Sequence, residues 1–191
     1  MLIDYGKLKK EIELRKGEKH EIKCARFINE LKDQELGFQL GALVPGETIH
    51  IANDSRWSLH ELVVHCLKST GPAALYFCTY AIKEFQVRLI SNMLKDGVLT
   101  EIHSLVDYRF RQHDPQAEQL LKNCSTSHRW AKRLHGKVTV IKNENWGIAI
   151  IGSGNWTTNT SRDTFVVTCH QQTADYWINW INKNINDGIE S

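Results

Sequence analysis

The sequence predicts an α/β domain with a mixed β-sheet and helices packed on it, and three features carry that expectation. Strand-like apolar runs alternate with amphipathic helical stretches between residues 47 and 121, which is the pattern of a sheet with helices against it. The run A-A-L-Y-F-C-T-Y-A-I from Ala73 is apolar throughout, as a strand buried on both faces must be. The stretch from Leu134 to Asn159 then reads as two apolar strands joined by a polar turn, so antiparallel pairs join the parallel ones.

Residues 4 to about 36 are charge-rich with helical spacing, broken near Gly17. Leu8 and Ile12, then Ile22, Ala25, Phe27, Ile28 and Leu31, suggest two helices with one apolar stripe each. The lysines and arginines at their start form either a solvated helix face or an arm that meets nucleic acid or a second chain. E-T-I-H-I-A-N-D, from Glu47, alternates as a strand should. Ser58 with Glu61 three residues on forms a capping box for a helix through about Ser69, which Gly71-Pro72 ends. After the Ala73 strand, Phe85, Leu89, Ile90 and Met93 stripe a helix from Glu84 to Lys95. V-L-T-E-I-H-S-L-V-D is the next strand, and Asp114-Pro115 opens a short helix through Leu121. T-F-V-V-T-C is a further strand, and a Trp-rich helix closes the chain with Trp177, Ile178 and Ile181 turned to the sheet.

A chain of 191 residues, 41% hydrophobic and 24% charged, supports one sizeable core of ordinary globular composition. The net charge of +2 permits a nucleic-acid partner without demanding one. No run approaches the length of a membrane span, and the first residues lack the apolar core of a signal peptide. Five cysteines without C-x-x-C spacing read as reduced thiols, so the expected setting is cytoplasmic, away from membranes.

The chemistry concentrates on the hairpin. His135 and Lys137 stand two residues apart at the head of its first strand, and Ser153 and Asn155 two apart at the tail of its second. Residues i and i+2 share one side of a strand, and a hairpin brings its beginning beside its end. An imidazole, an ammonium, a hydroxyl and a carboxamide can therefore converge beside a glycine-flanked backbone. Those groups suit the holding and attack of a phosphate. The bland alternative, a surface turn capped by Ser and Asn, gives no reason for His and Lys on one strand side.

Other constellations are less specific. His60, His65 and Cys66 would suggest zinc, but i and i+5 do not share a helix face, and no metal is expected. Asp107, Arg109, Arg111 and His113 follow a strand end, where open α/β sheets place ligands; phosphate contact and a solvated edge both remain open. Arg129, Trp130, Lys132 and Arg133 form, with His128, the densest basic stretch in the chain. Cations beside an aromatic suit a phosphodiester backbone with stackable bases. Arg109 and Trp156 join them as candidate substrate-binding residues.

H-x-K followed by G-S-x-N resembles the signature of the phospholipase D superfamily, specifically its small nuclease-like members with one motif per chain. The family pattern is H-x-K, four residues, Asp, six residues, then G-S-x-N. This chain matches it at His135, Lys137, Gly152, Ser153 and Asn155. Lys142 stands where the family has its Asp, and three extra residues lengthen the hairpin, with Glu144 the nearest acid. Asp163, just ahead of T-F-V-V, fits the acidic residue that the family places beyond the Asn, with a shorter spacer.

The resemblance implies a phospholipase D-like domain over residues 37–191, with helices on both faces of a mixed sheet, after a charged helical segment over 1–36. It implies a metal-independent phosphodiesterase that needs no cofactor. One histidine attacks phosphorus, and a second, from another motif copy, protonates the leaving oxygen and then activates water. With one motif per chain, His135 and its symmetry mate must meet in a homodimer. Lys137, Ser153 and Asn155 would hold the phosphate, and Asp163 would hold the imidazole. The basic-aromatic stretch favours DNA or RNA as substrate. The competing readings are a catalytically weak or inactive nucleic-acid-binding protein, and a phospholipid or small-diester phosphodiesterase.

Overall fold

The apolar run from Ala73 becomes a strand buried from both sides, because helices cover both faces of the sheet around it. The computed structural model describes residues 25–28, 40–55, 57–158 and 161–187. Its strands are β1 (Ala25–Ile28), β2 (Thr48–Asp54), β3 (Ala73–Thr79), β4 (Leu99–Asp107), β5 (Ser127–Ala131), β6 (Val138–Lys142), β7 (Gly147–Gly152) and β8 (Arg162–Thr168). They form one eight-stranded sheet in the order β1-β2-β8-β7-β6-β3-β4-β5. β3, β4 and β5 pair in parallel, as do β1 and β2. The pairs from β3 through β6, β7 and β8 to β2 are antiparallel. The sheet is mixed, as the alternation and the hairpin predict.

The helices are α1 (Leu59–Thr70), α2 (Glu84–Lys95), the single turn α3 (Phe110–His113), α4 (Pro115–Cys124) and α5 (Gln171–Asn186). Leu62, Val63 and Cys66 of α1, Val87 and Ile90 of α2, and Leu121 of α4 pack with Leu75, Phe77, Ile102 and Ile148 on one face. Ala174, Ile181 and Ile185 of α5 pack with Leu105, Val140 and Ala149 on the other. Trp177 and Ile178 join that second cluster, partly buried. The capping box forms, with the Ser58 backbone N–H donating to Glu61 Oε2 at 2.7 Å. Asp114 caps α4 by accepting from the Ala117 N–H at 3.1 Å. Among the described residues, no helix is long and apolar enough to cross a membrane.

Two elements differ from expectation. Ala25–Ile28, read as part of a helix, is strand β1, paired in register from Ala25 opposite Thr48 to Ile28 opposite Ile51. The exposed backbone of β2 offers these residues a ladder, and tertiary pairing overrides a weak helical pattern. The rest of the expected 1–36 helical segment lies outside the described residues. Ser127–Ala131, read only as a basic stretch, is the edge strand β5, built in register on β4.

Strand direction sets where chemistry can gather. β3, β4 and β5 end at one rim of the sheet. β6 begins there, β7 ends there and β8 begins there, because Val138 lies opposite both Cys78 and Ile151, and Gly152 opposite Phe165. The ends of six strands thus supply side chains to a single rim.

Candidate active site

At that rim the two halves of the motif meet. The Gly152 N–H donates to the Lys137 carbonyl at 3.3 Å, extending the β6–β7 ladder past its last strand pair. His135-Gly136-Lys137 therefore lies alongside Gly152-Ser153-Gly154-Asn155. His135 and Ser153 are exposed, while Lys137 and Asn155 are half-buried. Lys137 Nζ donates to the His135 carbonyl at 3.2 Å, which folds the ammonium back beside the histidine.

The second strand's loop is packed too tightly for side chains at its glycines. A Cβ on Gly152 would stand 2.3 Å from the Thr164 carbonyl oxygen, and one on Gly154 would stand 2.6 Å from the Phe165 ring. The Ser153 N–H donates to the Thr164 carbonyl at 3.0 Å, and Ser153 Oγ accepts from the Thr164 N–H at 3.1 Å. Ser153 Oγ donates to Asp163 Oδ1 at 2.5 Å. A hydroxyl has one proton to give. Ser153 gives it to Asp163, so the two brace the loop, and the Lys137 ammonium and the Asn155 amide keep N–H groups at the open rim. Among the described residues no hydrogen bond joins Asp163 to the His135 imidazole; this buried carboxylate accepts from Ser153. Thr79, buried at the end of β3, places its hydroxyl 2.9 Å from the Ala81 carbonyl and 3.3 Å from Asn155 Oδ1. Asn155 Nδ2 has no partner among the described residues, so its N–H groups remain available.

A second network holds the histidine side. Asp107, buried at the end of β4, accepts from the Leu134 N–H at 2.9 Å, one residue before His135. It also accepts from the Arg109 N–H at 3.0 Å, Nε at 2.7 Å and Nη2 at 3.1 Å. Burial alone would raise the Asp107 carboxyl, but the Arg109 hydrogen bonds and charge, with the Leu134 amide, outweigh it and hold the group below its ordinary value. The Arg109 guanidinium lies over the Tyr80 ring at 4.7 Å, and the Tyr80 ring stands 6.2 Å from that of His135. Tyr80, Lys83, Arg109 and His113 line a crevice of about 300 Å³ between the ends of β3 and β4.

Sequence reasoning missed Thr79 and Tyr80. Their signal was their place at the end of a parallel strand, where open sheets gather ligands. Trp156, expected to bind substrate, is a core residue: it is 1% exposed, packs on Phe77 and donates from Nε1 to Thr139 Oγ1 at 3.1 Å. An apolar ring between two polar motif residues reads as a contact from sequence, but the chain turns it inward. Arg129, Trp130, Lys132 and Arg133 lie on and just after β5. Arg129 Nη1 donates to the Ile185 carbonyl at 3.2 Å, while Lys132 and Arg133 are exposed. His60, His65 and Cys66 meet different surroundings: His60 Nδ1 stands 3.3 Å from Gln86 Nε2, His65 Nε2 stands 3.0 Å from the Gly41 carbonyl, and Cys66 is fully buried.

Lys142 lies at the opposite end of β6, roughly 16 Å from Lys137 at about 3.3 Å per residue. Its ammonium donates to Gln171 Oε1 and forms an ion pair with Asp175 Oδ1 at 2.7 Å, tying the hairpin to α5. The longer turn is closed by Asn143, whose Oδ1 accepts from the Asn145 and Trp146 N–H groups at 3.0 and 2.8 Å. Glu144 is exposed in that turn, far from the histidine.

No protein-family model and no curated protein matches the chain. Solved structures do. Nuc from Salmonella typhimurium, a phospholipase D family member, is 17% identical, with a TM-score of 0.53 over 72% of this chain and 93% of that one. NucT from Helicobacter pylori is 16% identical, with a TM-score of 0.53 over 72% and 94%. Polyphosphate kinase from Porphyromonas gingivalis is 16% identical, with a TM-score of 0.54 over 75% of this chain and 26% of that one. With His-x-Lys and Gly-Ser-x-Asn at one rim of a mixed sheet covered by helices on both faces, the chain has the fold of the phospholipase D superfamily.

Proposed function

We propose that the chain is a metal-independent phosphodiesterase that cleaves nucleic acid through a covalent phosphohistidine on His135, at a site completed by a second copy of itself. The observation that carries this reading is the meeting of His135 and Lys137 with Asn155 at one open rim. A histidine can attack phosphorus at neutral pH because an imidazole titrates near neutrality. His135 attacks, the bond to the leaving oxygen breaks, and Lys137 and Asn155 hold the nonbridging oxygens where charge collects. The Ser153–Asp163 pair fixes the loop that presents Asn155. Asp107 fixes the backbone ahead of His135.

The leaving oxygen needs a proton, and the phosphohistidine later needs an activated water. One chain offers one motif histidine. The exposure of His135 and Ser153 supports a half-site open to its symmetry mate, since a twofold axis brings the same patch against itself. The placement of Lys142 at the far end of β6 supports retained chemistry, because the departure from the family pattern falls outside the site.

Labelled single- and double-stranded DNA and RNA, incubated in excess EDTA with wild type and with His135→Ala, test the proposal. Cleavage that survives the chelator and disappears in the variant is the expected result. If neither protein cuts while both bind, the phosphodiesterase reading is wrong and the binding-protein reading stands. A monomer with full activity would refute the shared site.

A further inference from the structure

Strand β5 is the edge of the sheet beside β4, and a cavity of about 490 Å³ opens against it. Trp130 and Tyr108 supply aromatic surface, and Arg111, Lys122 and Lys132 supply charge. Half-buried Arg129 of β5 also lines the cavity, and the other three cations come from separate places, namely α3, α4 and the turn after β5, and are exposed. No carboxylate is among the residues that line the cavity. Cations gathered from three elements around an aromatic floor, with no acid to neutralise them, are poorly explained as a solvated face.

The floor is fixed in orientation. Trp130 is partly buried, with Phe110 at 6.0 Å on one side and His128 edge-on at 4.3 Å. His128 is held by Ser104 Oγ, 2.6 Å from its Nδ1, while its Nε2 is buried without a protein partner. Burial, with the charge of Lys122, pushes the His128 imidazole down to about 4, so the ring is neutral at physiological pH. It walls the cavity without adding charge.

An aromatic plane ringed by cations matches one unstacked nucleotide: the base lies on Trp130 and the flanking phosphates meet Arg111, Lys122 and Lys132. A duplex keeps its bases stacked inside and offers this cavity only phosphates. The site is also near the rim. Lys132 and His135 are three residues apart, a span of at most about 11 Å at full extension.

We infer that this cavity is a base-binding subsite through which the chain selects single-stranded nucleic acid. The inference rests on the phosphodiesterase reading and names its substrate class.

The test uses the full chain carrying His135→Ala, so that bound strands stay uncut. A labelled single-stranded oligonucleotide, its duplex and an abasic oligomer of the same length are titrated. The single strand should bind about ten-fold tighter than the abasic oligomer, as stacking on an aromatic side chain implies. Trp130→Ala should remove that advantage and leave abasic binding unchanged; Trp130→Phe should restore it, which a merely unfolded variant would not allow. Lys132→Ala and Arg111→Ala should weaken all three ligands alike and lower the salt slope by about one each. Equal binding of the single strand and the abasic oligomer, insensitive to Trp130→Ala, overturns the subsite. Metal-free cleavage by the wild type would in that case leave the phosphodiesterase reading standing. If the wild type neither binds nor cuts any nucleic acid, both fall.

Discussion

The two ends of the β6–β7 hairpin each carry a lysine, five residues apart in sequence, and the two lysines do different work. At the open end, Lys137 stands beside exposed His135, and the surrounding hydrogen bonds are spent on fixing backbone: Asp107 to Leu134, Gly152 to Lys137, Ser153 to Thr164. At the turn end, Lys142 is spent on Asp175 and Gln171, and Asn143 donates from Nδ2 to the carbonyls of Thr70 and Pro72 at 3.0 and 3.1 Å. One end leaves charge available over a rigid backbone, and the other consumes it in holding the sheet to its helices. The lysine at the resembled family's acidic position therefore lies at the consuming end, where it meets an opposite partner.

The largest expected contrast is in rate. Lys137→Ala should lower cleavage of a labelled oligonucleotide by about 10²- to 10³-fold, the cost of losing one donor to developing charge. Lys142→Ala should change it less than about three-fold, because the pair lies at the far end of β6 and a partly exposed ion pair contributes little even to stability. Comparable losses at both lysines would break the comparison.

Stability should show the rigid backbone of the open end. Gly152→Ala forces a methyl against the Thr164 carbonyl and should cost about 3 kcal/mol, read as a fall in denaturation midpoint. An unchanged midpoint would mean that β7 and β8 can part locally.

Asp107→Asn sharpens the contrast through pH. The folded carboxyl lies below its unfolded value, so its stabilisation is present above about pH 4 and is lost as pH falls through the folded pKa. The variant should lose about 2 kcal/mol at neutral pH, as charged hydrogen bonds are weakened. Its stability should then fall less steeply than that of the wild type below about pH 4. Parallel acid limbs in the two proteins would deny Asp107 its role.

The smallest effect is the turn-end pair. Lys142→Ala and Asp175→Ala, combined in a double-mutant cycle, should couple by about 0.5 kcal/mol. The exchanged pair, Lys142→Asp with Asp175→Lys, should recover most of that coupling. Zero recovery would make the pairing incidental.

Much of this was legible in the sequence. The α1 and α2 limits, the Ser58 cap and the hairpin follow from period and turn chemistry, which are local. The meeting of His135-Lys137 with Ser153-Asn155 was legible because a hairpin converts short spacing into contact. Three features were not. The role of Ser153 depends on Asp163 lying across a strand pair, which spacing alone does not reveal. Trp156 looks like a site residue until the chain's turn buries it. Strand β1 depends on a partner edge, and its own four residues carry no decisive period.

The packing of Gly152 and Gly154 under Phe165 also sets how the site responds to heat. The amides of Gly152, Ser153 and Thr164 are all engaged within that layer. Their hydrogens can exchange with solvent only when β7 parts from β8 or, for Gly152, from the Lys137 carbonyl, so the loop has no melting transition of its own. Warming should leave the rim arrangement intact until the sheet itself opens, so that the proposed cleavage activity and the fold disappear together.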